Sequence, residues 1–179
     1  MSSLHLSNLH IRYIYTIFFS HLNISPYING MPCHKCQQTP NTHSFKVLGK
    51  TLNGVTLFYS KPFDALEHEF TQETIQCYYS HLDELQGQWI WLFDAKDLHK
   101  RPTPKLELLR SFYKGIEERY KDTLLSIYIF HPNWQMQAIL NVIRPFMKSA
   151  AKQRLVESPS ALELLALGID AVIVKELCI

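Results

Sequence analysis

Two uninterrupted apolar runs constrain this chain more than anything else in it. Trp89-Ile90-Trp91-Leu92-Phe93 and Leu124 to Phe130 carry too few polar positions for strands wetted on one side. Runs of this kind read as strands covered on both faces, the usual condition of a parallel sheet. Between them, Lys105 to Tyr120 has the spacing of an amphipathic helix, with Leu106, Leu109, Phe112, Ile116 and Tyr120 on one side. A strand, a helix and a second buried strand define a right-handed βαβ unit and an α/β fold. Upstream, Phe45 to Leu48 and Val55 to Tyr59 read as short strands about the turn signal Asn53-Gly54. Ala65 to Leu85 reads as a helix ended by Gly87. Leu155-Val156 is a candidate last strand, Ser160 to Leu167 a short helix, and the remaining residues a tail. With 179 residues, the chain can bury one sizeable core.

The second strand runs through His131-Pro132 into a helix over 133–147. Trp134, Met136, Ile139, Leu140, Val142, Ile143, Phe146 and Met147 spread around its axis rather than forming one stripe. A surface helix normally keeps a polar face. This one must be buried on two sides or cover something greasy that the protein does not itself supply. Trp134, Ile139, Val142, Ile143 and Phe146 are therefore candidate cavity residues. The basic residues Arg144, Lys148, Lys152 and Arg154 follow without an intervening acid, whereas the stretch from Pro62 to Leu85 is acidic. Apolar and basic character together suit an anionic lipid surface. A net charge of +2 argues against nucleic acid as a general partner.

The motifs of several enzyme classes are missing. With 6 glycines there is no GxGxxG turn and no phosphate-cradling GxxxxGK[ST] loop. There is no GxSxG elbow and no HExxH pair. Asp94 and Asp97 stand at the end of a buried strand, where α/β sites tend to lie. Helix capping and loop hydrogen bonding explain both more simply than catalysis. His131 reads either as a group over the cavity or as a corner residue bonded to backbone. The expectation is a binding protein, without cofactor or catalytic residues.

The 4 cysteines are too few and scattered for a disulfide scaffold, which points to a reducing, cytoplasmic setting. Cys33-His34-Lys35-Cys36 has the spacing of half a zinc site, but no second CxxC or HxxxH follows. His43 and Cys77 would complete the set only by folding, and no metal is expected. The apolar run Ile11 to Phe19 contains Arg12 and is too short for a membrane span, and it lacks the features of a signal peptide. Residues 1–44 read as an extension and loop, and residues 45–179 as the domain.

Several of these residues also carry a family likeness. The strand closing on Asp94 with its short loop, the turn Arg119-Tyr120-Lys121-Asp122, the corner His131-Pro132, and the apolar helix ending in Arg144-Pro145-Phe146 resemble, in order and spacing, the CRAL-TRIO lipid-binding domain. That is the fold of yeast phosphatidylinositol transfer proteins and of tocopherol and retinal carriers. The His-Pro form is most similar to the BCH subgroup found in Rho GTPase-activating proteins and related scaffolds. The resemblance implies a mixed or parallel sheet flanked by helices, with the apolar helix as a gate over a phospholipid or another hydrophobic molecule at a membrane surface. It also implies a head-group site at Asp122 and Arg154, with Ala151 where phosphoinositide binders have Thr. A BCH-type scaffold, binding a small GTPase or a second copy of itself, is the alternative.

Overall fold

The computed structural model describes residues 33–39 and 42–178. The stretch Ile11 to Phe19 and the rest of residues 1–32 lie outside it. Five strands form one sheet in chain order: β1 (Phe45–Lys50), β2 (Thr56–Ser60), β3 (Trp89–Asp94), β4 (Leu124–Phe130) and β5 (Leu155–Glu157). β1 and β2 make an antiparallel hairpin about Gly54, whose φ of 80° needs a residue without Cβ. The remaining neighbours are parallel. The expected α/β fold with a mixed, mostly parallel sheet is what the chain adopts.

The helices are α1 (His34–Gln38), α2 (Gln72–Asp83), α3 (Leu106–Tyr120), α4 (Trp134–Ile143), α5 (Ser149–Gln153), α6 (Ala161–Ala166) and α7 (Ala171–Leu177). Strands β2 to β5 advance across the sheet in one direction. Crossovers of one hand must then deposit their helices on one face. Accordingly α2, α3 and α4 share a face, over Phe58, Trp89 and Trp91 and over Ile127 and Ile129. Alternate residues Leu57, Ile90, Leu92, Tyr128 and Phe130 point the other way, into a core that includes Leu164, Val174 and Leu177 of α6 and α7.

Four elements differ from the sequence reading. α2 starts at Gln72 rather than Ala65, because Thr71 caps it: Thr71 Oγ1 accepts from Thr74 N, and Thr74 Oγ1 accepts from Thr71 N. Pro62–Asp64 forms a 3-10 turn and the residues from Ala65 to Phe70 stay irregular, with the Phe63 and Ala65 carbonyls accepting from Arg101 Nη2. The helix expected over 133–147 ends at Ile143 and continues as a 3-10 turn, Arg144–Phe146, containing Pro145. The expected tail is α7, capped by Asp170, which accepts from Val172 N at 2.8 Å. The loop before β1 contains α1.

Candidate functional site

The face covered by α2, α3 and α4 is not filled. A cavity of about 180 Å³ lies there. Its floor is Trp91, Phe93, Ile127, Ile129 and Leu155, the side chains that alternation aims at this face. Phe112 and Ile116 of α3 and Tyr78 of α2 form one wall, and Met136, Ile139, Leu140 and Ile143 of α4 form the roof. At about 10–15 Å³ per water-sized group, the space holds roughly a dozen such groups. That matches one acyl chain in scale and falls short of a whole two-chain lipid. Burial holds the phenol of Tyr78 above the ordinary tyrosine range, so this wall presents no charge at neutral pH.

The roof is tied down by polar contacts at its entrance. Asn133 caps α4 by accepting from Met136 N at 3.1 Å, and its Nδ2 donates to the Ala95 carbonyl at 2.7 Å. Gln135 is fully buried, and its Nε2 donates to Thr103 Oγ1 at 3.1 Å. Arg101 borders the cavity, and two of its guanidinium nitrogens, Nε and Nη1, are buried without a hydrogen-bond acceptor among the described residues.

Of the residues singled out from the sequence, Ile139 and Ile143 line the cavity. Trp134 and Phe146 do not: they are 68% and 55% exposed, Phe146 lying 4.5 Å from the Arg110 guanidinium. Val142 is partly buried and outside the lining. Asp122 is exposed, and Arg154 donates to the Lys121 carbonyl at 2.8 Å. Neither lines the cavity, and among the described residues they form no ion pair with each other. The basic run after α4 is also less bare than its sequence implies. Arg144 pairs with Glu157, and Lys148 with Glu117 at 3.5 Å, because folding brings in acids from elsewhere in the chain.

The corner at the C-terminal edge of the sheet has its own polar cluster. The Asp94 carboxylate is buried and accepts from Tyr59 Oη at 3.2 Å and Lys96 N at 2.8 Å, with His131 Nδ1 at 2.9 Å. His131 therefore bonds a carboxylate rather than the backbone partner considered above. Its φ of 47° puts it in the left-handed region, which sharpens the turn from β4 into α4. Asp97 makes no side-chain cap and pairs with Lys100 at 2.6 Å.

Sequence reasoning reached the roof but missed the floor and Arg101. The alternation within β3 and β4 held the signal for the floor, although nothing in the sequence says which set faces the cavity. Arg101 left no signal at all.

Comparison with known proteins agrees with this geometry. Residues 53–177 match the model of the divergent CRAL/TRIO domain. A curated relative, Rho GTPase-activating protein 68F of Drosophila melanogaster, is 26% identical over 87 residues, covering 48% of this chain and 18% of that protein. The chain thus spans less than a fifth of that relative's length. The chain belongs to the divergent CRAL/TRIO family, a family of lipid-binding domains.

Proposed function

We propose that this domain binds a hydrophobic ligand without catalysis, taking an acyl chain, with a phospholipid as the ligand class, into the cavity beneath α4. The observation that carries the reading is the apolar cavity between the sheet face and the three helices. Each CH₂ moved out of water contributes about 0.8 kcal/mol. A dozen such groups supply roughly 10 kcal/mol gross, before the cost of ordering the chain. α4 is the lid, and ligand entry requires it to move because the roof side chains pack on the floor. The unpaired Arg101 nitrogens offer charge-assisted hydrogen bonds to a carboxylate or phosphate oxygen at the cavity wall. Asp122 and Arg154, outside the lining, take no part. The domain works at the surface of a membrane in the cytoplasm, with exposed Trp134 and Phe146 nearest the lipid.

Native mass spectrometry of the purified chain, followed by uptake of a fluorescent phospholipid, tests the reading. A co-purifying lipid or saturable uptake is expected. An empty protein that takes up none defeats it.

A second reading is favoured by the name of the matched relative, a Rho GTPase-activating protein. In it the domain is a scaffold that binds a small GTPase or a second copy of itself, its cavity carrying no transferable ligand. Titration with a GDP- or GTP-loaded Rho-type GTPase, together with the oligomeric state in solution, separates the two.

A further inference from the structure

At one edge of the cavity, four side chains that ligand burial leaves unused converge. Cys33 is the N-cap residue of α1, Cys36 lies within it, His43 stands two residues before β1, and Cys77 sits in the middle of α2. One sulfur or ring nitrogen from each lies within 4.8 Å of the other three, and all four residues are buried. Cys33 and Cys77 are joined in a disulfide with a Cα–Cα distance of 5.3 Å. That bond accounts for two members of the cluster and leaves the other two unexplained. Cys36 is a free, buried thiol. The His43 side chain is 1% exposed, and among the described residues neither of its ring nitrogens has a hydrogen-bond partner. An imidazole buried with both nitrogens unsatisfied is rare and calls for a specific reason.

Three sulfurs and one imidazole nitrogen are a complete donor set for tetrahedral zinc. With Zn–S bonds of about 2.3 Å, neighbouring donors stand about 3.8 Å apart, so the Cys33 and Cys77 sulfurs must separate once reduced, while the widest spacing in the cluster, 4.8 Å, contracts by about 1 Å. Its surroundings fit an ion as well. Glu67 Oε2 lies 3.5 Å from His43 Nδ1, where a carboxylate commonly takes the second N–H of a metal-bound imidazole. That arrangement leaves Nε2 for the metal. Lys35, between the two α1 cysteines, holds Glu67 in place and pairs with Glu73 at 2.8 Å. Burial raises the Cys36 thiol above its ordinary range, only partly offset by a hydrogen bond from the His43 backbone N–H.

We propose that the reduced protein binds one zinc ion through the sulfurs of Cys33, Cys36 and Cys77 and Nε2 of His43, clamping α1 and His43 onto α2. The disulfide is the oxidised, metal-free form of the same cluster. The conversion balances. A dithiol reductant breaks the Cys33–Cys77 bond, is itself oxidised to a cyclic disulfide, and leaves two thiols. Zinc then displaces three thiol protons to solvent. The site is independent of the lipid reading, and either can fail alone.

The test uses the full chain, purified under reductant and offered equimolar zinc, with metal content read by elemental analysis and native mass spectrometry. One zinc per chain is expected. Cobalt(II) substitution should give the strong visible d–d bands of a tetrahedral site and thiolate-to-metal charge transfer matching three sulfurs. Cys36→Ser discriminates best, because it leaves the disulfide pair intact. It should weaken zinc retention against a competing chelator at least tenfold, as should His43→Ala, whereas His43→Cys should restore it. Reduced wild type that takes up no zinc overturns the proposal. So does retention by Cys36→Ser and His43→Ala equal to wild type. Where those variants do not fold, the cobalt spectrum of the wild type decides: three thiolates sustain the site, and a spectrum without them ends it.

Discussion

At the residue scale, Ile143 and Gly115 are the positions where one atom more or less says most. Ile143 is part of the cavity roof, and Trp134 is the exposed control on the same helix. Ile143→Asp puts a carboxylate into the apolar roof, where an unpaired charge is strongly disfavoured and a polar group displaces the acyl chain. Uptake of a fluorescent phospholipid should fall at least tenfold while thermal unfolding stays cooperative, and Trp134→Ala should leave uptake inside the cavity unchanged. Equal uptake by wild type and Ile143→Asp would show that the ligand lies elsewhere. Gly115 tests the packing of α3 on α2. A Cβ there would stand 1.9 Å from Tyr79 Oη and 2.7 Å from its Cζ, and the Tyr79 ring is buried. Ala gains about 1 kcal/mol of helix propensity over Gly. Overpacking costs about 1–3 kcal/mol, and at so short a contact the upper part of that range applies. Gly115→Ala should therefore lower stability by about 1–2 kcal/mol in chemical denaturation, and adding Tyr79→Phe, which deletes the nearest atom, should recover part of the loss. An Ala variant more stable than wild type would mean that the Tyr79 ring moves freely.

At the element scale, the proposed lid is α4, and Asn133 ties down its start. Its side chain satisfies a helix N–H through Met136 and anchors the entrance to the loop after β3 through the Ala95 carbonyl. Losing a cap costs about 1 kcal/mol, and a lost partly buried hydrogen bond a similar amount. Asn133→Ala should lower stability by about 1–2 kcal/mol and speed the release of a bound fluorescent lipid, measured by transfer to acceptor vesicles. Unchanged release would place the gate at another element. How far the elements could be read from the sequence depended on whether their signals were local. β4 is legible residue for residue as Leu124–Phe130, and the Asn53-Gly54 turn marks the hairpin, because apolar runs and turn residues act within a few positions. The start of α2 was misplaced because a Thr cap competes with helix-compatible residues before it. α7 reads as a tail although Val174 and Leu177 are buried, since a helix this short is stabilised by packing on the sheet rather than by propensity. The cavity roof was visible as a helix with too many apolar positions. Its floor, and the meeting of Cys77 with Cys33, Cys36 and His43, depend on tertiary contacts that no spacing encodes.

At the scale of the whole molecule, the proposed membrane contact would use the face that carries Trp134 and Phe146. The chain has 3 tryptophans. Trp89 and Trp91 are buried, and their indole N–H groups donate to Thr123 Oγ1 at 3.2 Å and Ser60 Oγ at 2.8 Å. Trp134, 68% exposed at the start of the lid, is the solvent-facing one. Intrinsic fluorescence therefore separates the core from the lid face without any label. The basic residues beside the lid are partly neutralised, Arg144 by Glu157 and Lys148 by Glu117, and the net charge is only +2. A surface of this kind gains little from long-range attraction to anionic lipid, which salt screens over about 10 Å. Its favourable term is the burial of Trp134 and Phe146 at the interface, where aromatic side chains are at home. Binding to vesicles should therefore shift tryptophan emission to the blue and protect it from acrylamide. The preference for anionic over neutral vesicles should be slight, and added salt should change affinity only modestly. Trp134→Ala should remove the emission change and weaken binding several-fold, while the quenching of the two core indoles stays low with or without lipid. Emission and quenching indifferent to every vesicle composition would detach the lid from membranes. Binding abolished by moderate salt would return the interaction to the basic residues.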